Sequence, residues 1–262
     1  MDILINQLVY KPTEVCFMPA LTDAVAIDRP AYAPYRLLVV NGNTTSDLTQ
    51  SLAAQARVFF DGAAHVHAVT ALFGPAYIAS RVEAAVAAHA VLETVEREVA
   101  RAEAPFDACV LACFGEPGIG AVRECLSVPV VGMAEASIMA AMQRGDRYVI
   151  VTVGQRWPGM LREQIRQLGL DARCAAIIAL PGNALDYVSR SPESAAAVSR
   201  ALEAAVDEGA DVIIVAGAAL AGYLPVLPRR PSVPIIDSYR AALAQVLALA
   251  SLERAQRLCA LT

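Results

Sequence analysis

The stretch DACVLACFGEPGIG, residues 107–120, decides how the rest of the chain is read. An Asp opens a short apolar run, the run ends at Cys113, and a Gly- and Pro-containing loop follows. A weaker echo, DVIIVAGAALAG, spans residues 211–222, and Gly217 stands there where Cys113 stands in the first copy. Short runs of Val, Ile, Leu and Ala without polar alternation are the pattern of strands buried on both faces of a parallel sheet.

Working outward, each copy is followed by a Val-Pro that opens a further apolar run, at Val128-Pro129 and at Val233-Pro234. Four more segments complete the pattern. The full set is RLLVVN (36–41), HVHAVT (65–70), DACVLAC (107–113), VPVVG (128–132), RYVIVTV (147–153), CAAIIAL (174–180), DVIIVA (211–216) and VPIID (233–237). They fall into two sets of four, and VVNGN (39–43) in the first set answers VTVGQ (151–155) in the second. Helix signals lie between them. Ser80-Arg81-Val82-Glu83 has capping-box spacing before an Ala- and Glu-rich run. Ser191-Pro192-Glu193 places an N-cap before a proline at the first helical position, with Gly209 at the far end. Strand and helix alternation predicts an α/β fold built from a duplicated four-strand unit. Two similar lobes then face each other, with Cys113 and Gly217 at strand ends beside a cleft, where ligands of open α/β sheets bind. The predicted boundaries are an N-terminal arm over residues 1–35, a first lobe over 36–132 with 238–262, and a second lobe over 133–237.

Composition narrows the function. The 262 residues are 56% hydrophobic and 18% charged, which supports a large buried core and argues against disorder. The net charge is −5 and no basic stripe is present, which argues against nucleic acid as a partner. No apolar run reaches the roughly 18 residues that a membrane span needs. Asp2 and Pro12 interrupt the N-terminus, and no basic leader with an apolar stretch precedes them, so no signal peptide is expected. The six cysteines, at 16, 109, 113, 125, 174 and 259, lack CxxC spacing. That pattern fits a reduced, cytoplasmic protein.

Several residue types at the strand ends carry chemistry. Cys113 precedes Phe114-Gly115-Glu116-Pro117-Gly118, and a helix expected from Pro117 would lower the thiol pKa and favour a nucleophilic thiolate. The same position also suits a packed core cysteine, as Cys109 does. The loop NGNTTSD (41–47) offers Asn41, Asn43 and Thr44 to a substrate, and equally makes a turn with a Thr45 or Ser46 helix cap. It contains neither GxxxxGK[ST] nor GxGxxG, so it is not a phosphate loop. FGPAYIAS (73–80) forms either a cleft wall or a turn. Glu135 is either a base or a first-turn helix residue, and Trp157 either covers the cleft or packs in the core. His65, His67 and His89 lack ligand spacing, so no metal is expected.

Taken together, these segments resemble the aspartate/glutamate/hydantoin racemase superfamily, most of all its hydantoin and allantoin racemase branch. VVNGNTT resembles that branch's Asn-Pro-Asn-Thr-Thr loop, with Gly42 in place of Pro. FGPAYIASR resembles its Gly-Pro segment, and ACFGEPGIGAVRE its first catalytic cysteine loop. VPVVGMAEAS and VPIID resemble the strand ends beyond each catalytic loop. The likeness covers about residues 36–250.

The resemblance implies two Rossmann-like lobes related by a pseudo-twofold, a cleft between them, no cofactor, a small-molecule substrate and a homo-oligomer. It also implies two thiols, one removing a proton next to a carbonyl and one returning a proton to the opposite face. Cys113 matches the first thiol. Gly217 occupies the place of the second, with Tyr223 and Glu135 as candidate substitutes. By the same likeness, Asn41, Asn43, Thr44, Phe114, Gly115, Gly217, Ala218 and Ala219 surround the substrate. A cofactor-independent racemase of hydantoin-, ureide- or amino-acid-like compounds is the leading expectation. A one-thiol lyase or cis–trans isomerase acting on a small carboxylate, and a catalytically silent binder, remain as alternatives.

Overall fold

All eight apolar runs form strands, and every pairing among the described residues is parallel. The computed structural model describes residues 33–260. Most of the expected N-terminal arm, and Cys16 with it, lies outside the described residues. The first half runs β1 (Tyr35–Asn41), α1 (Ser46–Phe60), β2 (Ala64–Thr70), α2 (Arg81–Arg101), β3 (Ala108–Leu111), α3 (Ile119–Cys125), β4 (Val130–Gly132) and α4 (Met133–Met142). The second half runs β5 (Tyr148–Val153), α5 (Trp157–Gln167), β6 (Cys174–Leu180), α6 (Pro192–Asp207), β7 (Val212–Val215), β8 (Ile235–Asp237) and α7 (Ser238–Ala260). The two sheets have strand orders β2-β1-β3-β4 and β6-β5-β7-β8, so the same topology occurs twice.

Successive residues of each central strand enter different cores, because side chains alternate across a sheet. Leu37 and Val39 of β1, Val110 of β3, Ile150 of β5 and Ile214 of β7 join one central core. That core also takes Leu52 of α1, Ile138 of α4 and Leu243 of α7, so it lies between the two sheets. Leu38, Val40, Cys109 and Leu111 face a separate core with Val91 and Val95 of α2. Val149, Val151, Ile213 and Val215 face a third core with Val198 and Leu202 of α6. Burial on both faces explains why these strands read as continuous apolar runs. No described helix is long and apolar enough to cross a membrane.

The helix signals fold as their chemistry dictates. Ser80 Oγ accepts the Glu83 N–H, and the Glu83 carboxylate takes the Ala79 N–H. Ser191 accepts the Ser194 N–H, and Gly209 leaves α6 at a positive φ of 80°. The cap expected at α1 differs. Thr45 sits at the N-cap position, yet its side chain makes no cap bond. Its hydroxyl donates instead to Ala76 O at 2.7 Å, tying the Asn41–Thr45 loop to the 73–80 segment.

The Asp that opens each echo has a structural reason. Asp107 Oδ2 accepts the Arg36 N–H at 2.7 Å, just ahead of β1's core residues. Asp211 Oδ2 accepts the Asp146 and Arg147 N–H groups at 3.1 and 2.9 Å at the corresponding edge of β5. Each carboxylate fastens the third strand of its unit to the first. Asp107→Ala is therefore expected to lower the unfolding free energy by about 1.5–3 kcal/mol, the range for a hydrogen bond to a charged group. Urea denaturation reads this directly, and a midpoint equal to that of the parent protein would refute the role.

Candidate active site

The loops leaving β1, β3, β5 and β7 converge on a cleft. The first lobe contributes Asn43, Tyr77, Ile78, Cys113 and Phe114 to its walls. The second contributes Thr152, Trp157, Leu185 and the Ala216–Leu220 segment. A second, larger cavity lies alongside, and Cys113 and Trp157 border both.

The Asn loop is organised from within. Asn41 is 1% exposed, and its Nδ2 donates to Asn43 Oδ1, Thr45 O and Thr49 Oγ1 at 3.0, 3.2 and 3.0 Å. Its Oδ1 accepts the Asn43 N–H. Asn41 therefore holds the loop and does not face the cleft, because its donors are already used inside the protein. Thr44 is also absent from the cleft wall, and its N–H is tied to Pro75 O. Asn43 does line the cleft. Its Oδ1 takes the Asn41 Nδ2 and the Thr45 N–H, which orients the amide and leaves Nδ2 as the donor available to a substrate.

Cys113 ends the strand and lies in the cleft wall, half-buried. The expected helix from Pro117 begins at Ile119 instead, after Gly118 at a φ of 75°. The thiol is correspondingly not lowered. Burial pushes it up to about 11, the Gly115 and Glu116 N–H groups pull it down, and the Glu116 carboxylate raises it further. Cys109, fully buried in the core behind, rises to about 12. Three residues beyond Cys113, Glu116 is a buried carboxylate that no sequence motif marks. Glu116 is 5% exposed and has a φ of 48°. Its Oε1 accepts the Ala134 and Glu135 N–H groups of α4 at 2.7 and 2.9 Å, and its Oε2 accepts Gln164 Nε2 of α5 at 2.8 Å. Burial raises its pKa to about 7, against the pull of those hydrogen bonds. A buried-carboxylate role has no local signature, since a Glu in a Gly-Glu-Pro-Gly loop reads as solvated.

Trp157 divides the two cavities. Its Nε1 donates to the Tyr77 hydroxyl at 3.0 Å, and that hydroxyl donates to Val153 O at 3.0 Å. Burial lifts the Tyr77 pKa to about 12, so this bridge stays protonated across the neutral range. The indole lies directly over Gly115. A Cβ added there would meet Trp157 Cη2 at 2.6 Å. Gly115, expected among the substrate contacts, thus borders the second cavity and makes room for the indole.

On the opposite wall, the Gly217 N–H is held by Ser238 Oγ at 3.3 Å, and Ala218–Leu220 form a single 3-10 turn. That turn leaves the Ala218 and Ala219 N–H groups without an intrahelical acceptor. Gly217 adopts φ 107° and ψ 148°, a conformation essentially reserved for glycine, and an added Cβ would meet no atom within 4 Å. Neither proposed substitute for a second base reaches this point. Glu135 pairs with Arg123 and borders the second cavity, and Tyr223 is buried, with its hydroxyl on Tyr187 O at 2.7 Å. Cys113 and Tyr77 are the ionisable groups among the described residues of the cleft wall. His67 pairs with Glu98 and His89 packs edge-on against Phe73, both outside it. No cluster of three potential metal ligands occurs among the described residues.

Residues 37–246 match the Asp/Glu/Hydantoin racemase family. A hydantoin racemase of Paenarthrobacter aurescens is 35% identical over 79% of this chain and 87% of its own length. Two allantoin racemase structures superpose with a TM-score of 0.76 each. The one from Pseudomonas fluorescens is 33% identical and covers 83% of this chain and 92% of its own. The one from Klebsiella pneumoniae is 30% identical and covers 84% and 89%. Of the readings open to a single-thiol cleft, these relatives favour the racemase.

Trp157 is the only tryptophan in the chain, so its fluorescence reports on the cleft divider. Gly115→Ala is expected to push the indole out of its seat, shifting the emission to the red and lowering stability by about 1–3 kcal/mol, as overpacking does. An emission maximum and a Tm identical to those of the parent would overturn the assignment of Gly115 as the indole's seat.

Proposed function

The chain belongs to the Asp/Glu/hydantoin racemase family and is a racemase, and we propose that it inverts a carbon next to a carbonyl in a small hydantoin- or ureide-like substrate through Cys113. The supporting observation is the asymmetry of the cleft. A thiol lines one wall, and a glycine with open space above it stands at the equivalent strand end of the other.

In the proposed cycle the Cys113 thiolate takes the proton from the stereocentre. The C–H electron pair moves onto the neighbouring carbonyl, giving an enolate. Asn43 Nδ2 and the Ala218 and Ala219 N–H groups are the donors placed to stabilise that developing charge, where low dielectric makes such contacts strong. A water on the Gly217 side then gives a proton to the opposite face, and the resulting hydroxide takes the proton from Cys113, which regenerates the thiolate. The stereocentre is inverted and no atom is gained or lost. The elevated thiol pKa has a use here, because a more basic thiolate is a stronger proton acceptor once formed. Hydantoin and allantoin are the compounds in the relatives' names, and a five-membered ring with an acidic C–H beside a ring carbonyl is the substrate class that this cycle suits.

Cys113→Ala should reduce racemisation of a single-enantiomer hydantoin or allantoin by about three orders of magnitude or more, the scale for loss of an essential acid–base group. In deuterium oxide, product of inverted configuration should carry one solvent deuteron at the stereocentre. Undiminished activity in Cys113→Ala, or inversion without deuterium, would refute the cycle. The pH profile gives an independent check. With the thiol near 11, the thiolate fraction grows about tenfold per pH unit below that value, so kcat/KM should rise across the alkaline range. A plateau reached by pH 8 would rule out Cys113 as a base of that strength.

A further inference from the structure

We propose that Glu116 is the positioning residue for the Cys113 thiol, its carboxylate replacing from the cysteine loop the helix-capping Asp that the second lobe carries at the end of β8. The pairing registers make the comparison residue by residue. Gly132 ends β4 opposite Leu111 of β3, and Asp237 ends β8 opposite Val215 of β7. Asp237 Oδ1 accepts the N–H groups two and three residues on, Tyr239 and Arg240, at 3.0 and 3.1 Å. Its Oδ2 accepts Gly222 N–H at 2.8 Å and so steadies the loop that follows Gly217. In the first lobe the equivalent N–H groups, two and three residues beyond Gly132, are Ala134 and Glu135. Glu116 Oε1 takes both.

Gly132 is glycine because Glu116 fills the space that its side chain would occupy. A Cβ there would lie 2.0 Å from Glu116 Oε1. Moving the cap from the strand end into the cysteine loop has a consequence that Asp237 does not have. It fixes the thiol loop to α4 and, through Gln164, to α5, and it puts a negative charge near the sulfur. The loop accepts a φ of 48° at Glu116 to do so.

The charges around this carboxylate are nearly balanced apart from the thiol. On α3 and α4, Arg123 pairs with Glu135. On α2 and α5, Arg81 pairs with Glu163. Gln164 of α5 is neutral, and Cys113 is the titratable partner on the same loop. Ionised Glu116 disfavours the thiolate, and protonated Glu116 does not. Glu116 ionises near 7, so the thiol should become harder to ionise as pH rises through neutrality.

This inference rests on Cys113 as the proton-transferring group, and its test reads the thiol without turnover. The rate of iodoacetamide labelling at Cys113, followed by peptide mass spectrometry across pH, should show an inflection near pH 7 in the parent. Glu116→Gln keeps acceptor and shape, so it should abolish that inflection and label about three- to tenfold faster at pH 8. A labelling profile identical to the parent's would overturn the charge coupling. The double variant Glu116→Ala with Gly132→Asp recreates the Asp237 arrangement in the first lobe. It should recover the Tm lost in Glu116→Ala while kcat stays at least about tenfold below the parent, the scale of a misplaced catalytic group. Recovery of both Tm and kcat would reduce Glu116 to a helix cap and overturn its positioning role. Activity in Cys113→Ala would refute the catalytic reading separately, leaving the labelling result to stand on its own.

Discussion

Removing a carboxylate from water is tolerated only where hydrogen bonds replace its hydration. Glu116 meets that condition with two backbone N–H groups at the start of α4 and one side-chain amide from α5. The positive end of the α4 dipole adds to the compensation. These contacts decide the geometry of the site. They set where the β3–α3 loop turns, hence where Cys113 points, and they require Gly132 beneath. Gly115 in the same loop must be small for a different reason, the indole above it. One loop is thus fixed by a buried charge on one side and an aromatic ring on the other.

The two lobes repeat a topology while dividing its chemistry. Each third strand is pinned at its start by an Asp, Asp107 or Asp211, and each fourth strand leads into a helix whose first N–H groups receive a carboxylate. The lobes differ at the cleft. The first presents a thiol raised by burial, and the second presents a glycine backbone with open space above it. Tyr77 and Trp157 join the walls through a chain of hydrogen bonds ending at Val153 O. These two side chains, themselves in the cleft wall, tie one lobe to the other across it.

The architecture was legible because its signal is distributed. Eight apolar runs, two Asp-initiated echoes and two Val-Pro strand starts are statements about burial and repetition, which the chain carries residue by residue. Helix boundaries at Ser80 and Ser191 were legible for the same reason, since a cap is a contact over three residues. Thr45 was less so. Its hydroxyl found Ala76 O, from a segment far along the chain, before its own helix. Cys113, Asn43 and the Gly217–Ala219 segment, each at a strand end in the sequence, come together in the wall of one cleft. The bonds that engage Asn41 and the ring above Gly115 were not legible, because they come from packing that no spacing encodes.

By itself the sequence determined the fold class, the duplicated strand pattern, the position of the single cleft thiol and the family likeness. All of these follow from local periodicity or from contiguous motifs. Only the tertiary structure decided the state of that thiol and the identity of the group beside it. The Cys113 pKa depends on burial and on a carboxylate held in place by helices from elsewhere in the chain, and desolvation is a property of the assembled interior. Glu116 itself, written in the chain between two glycines and a proline, becomes a buried charge only when α4 and α5 close around it.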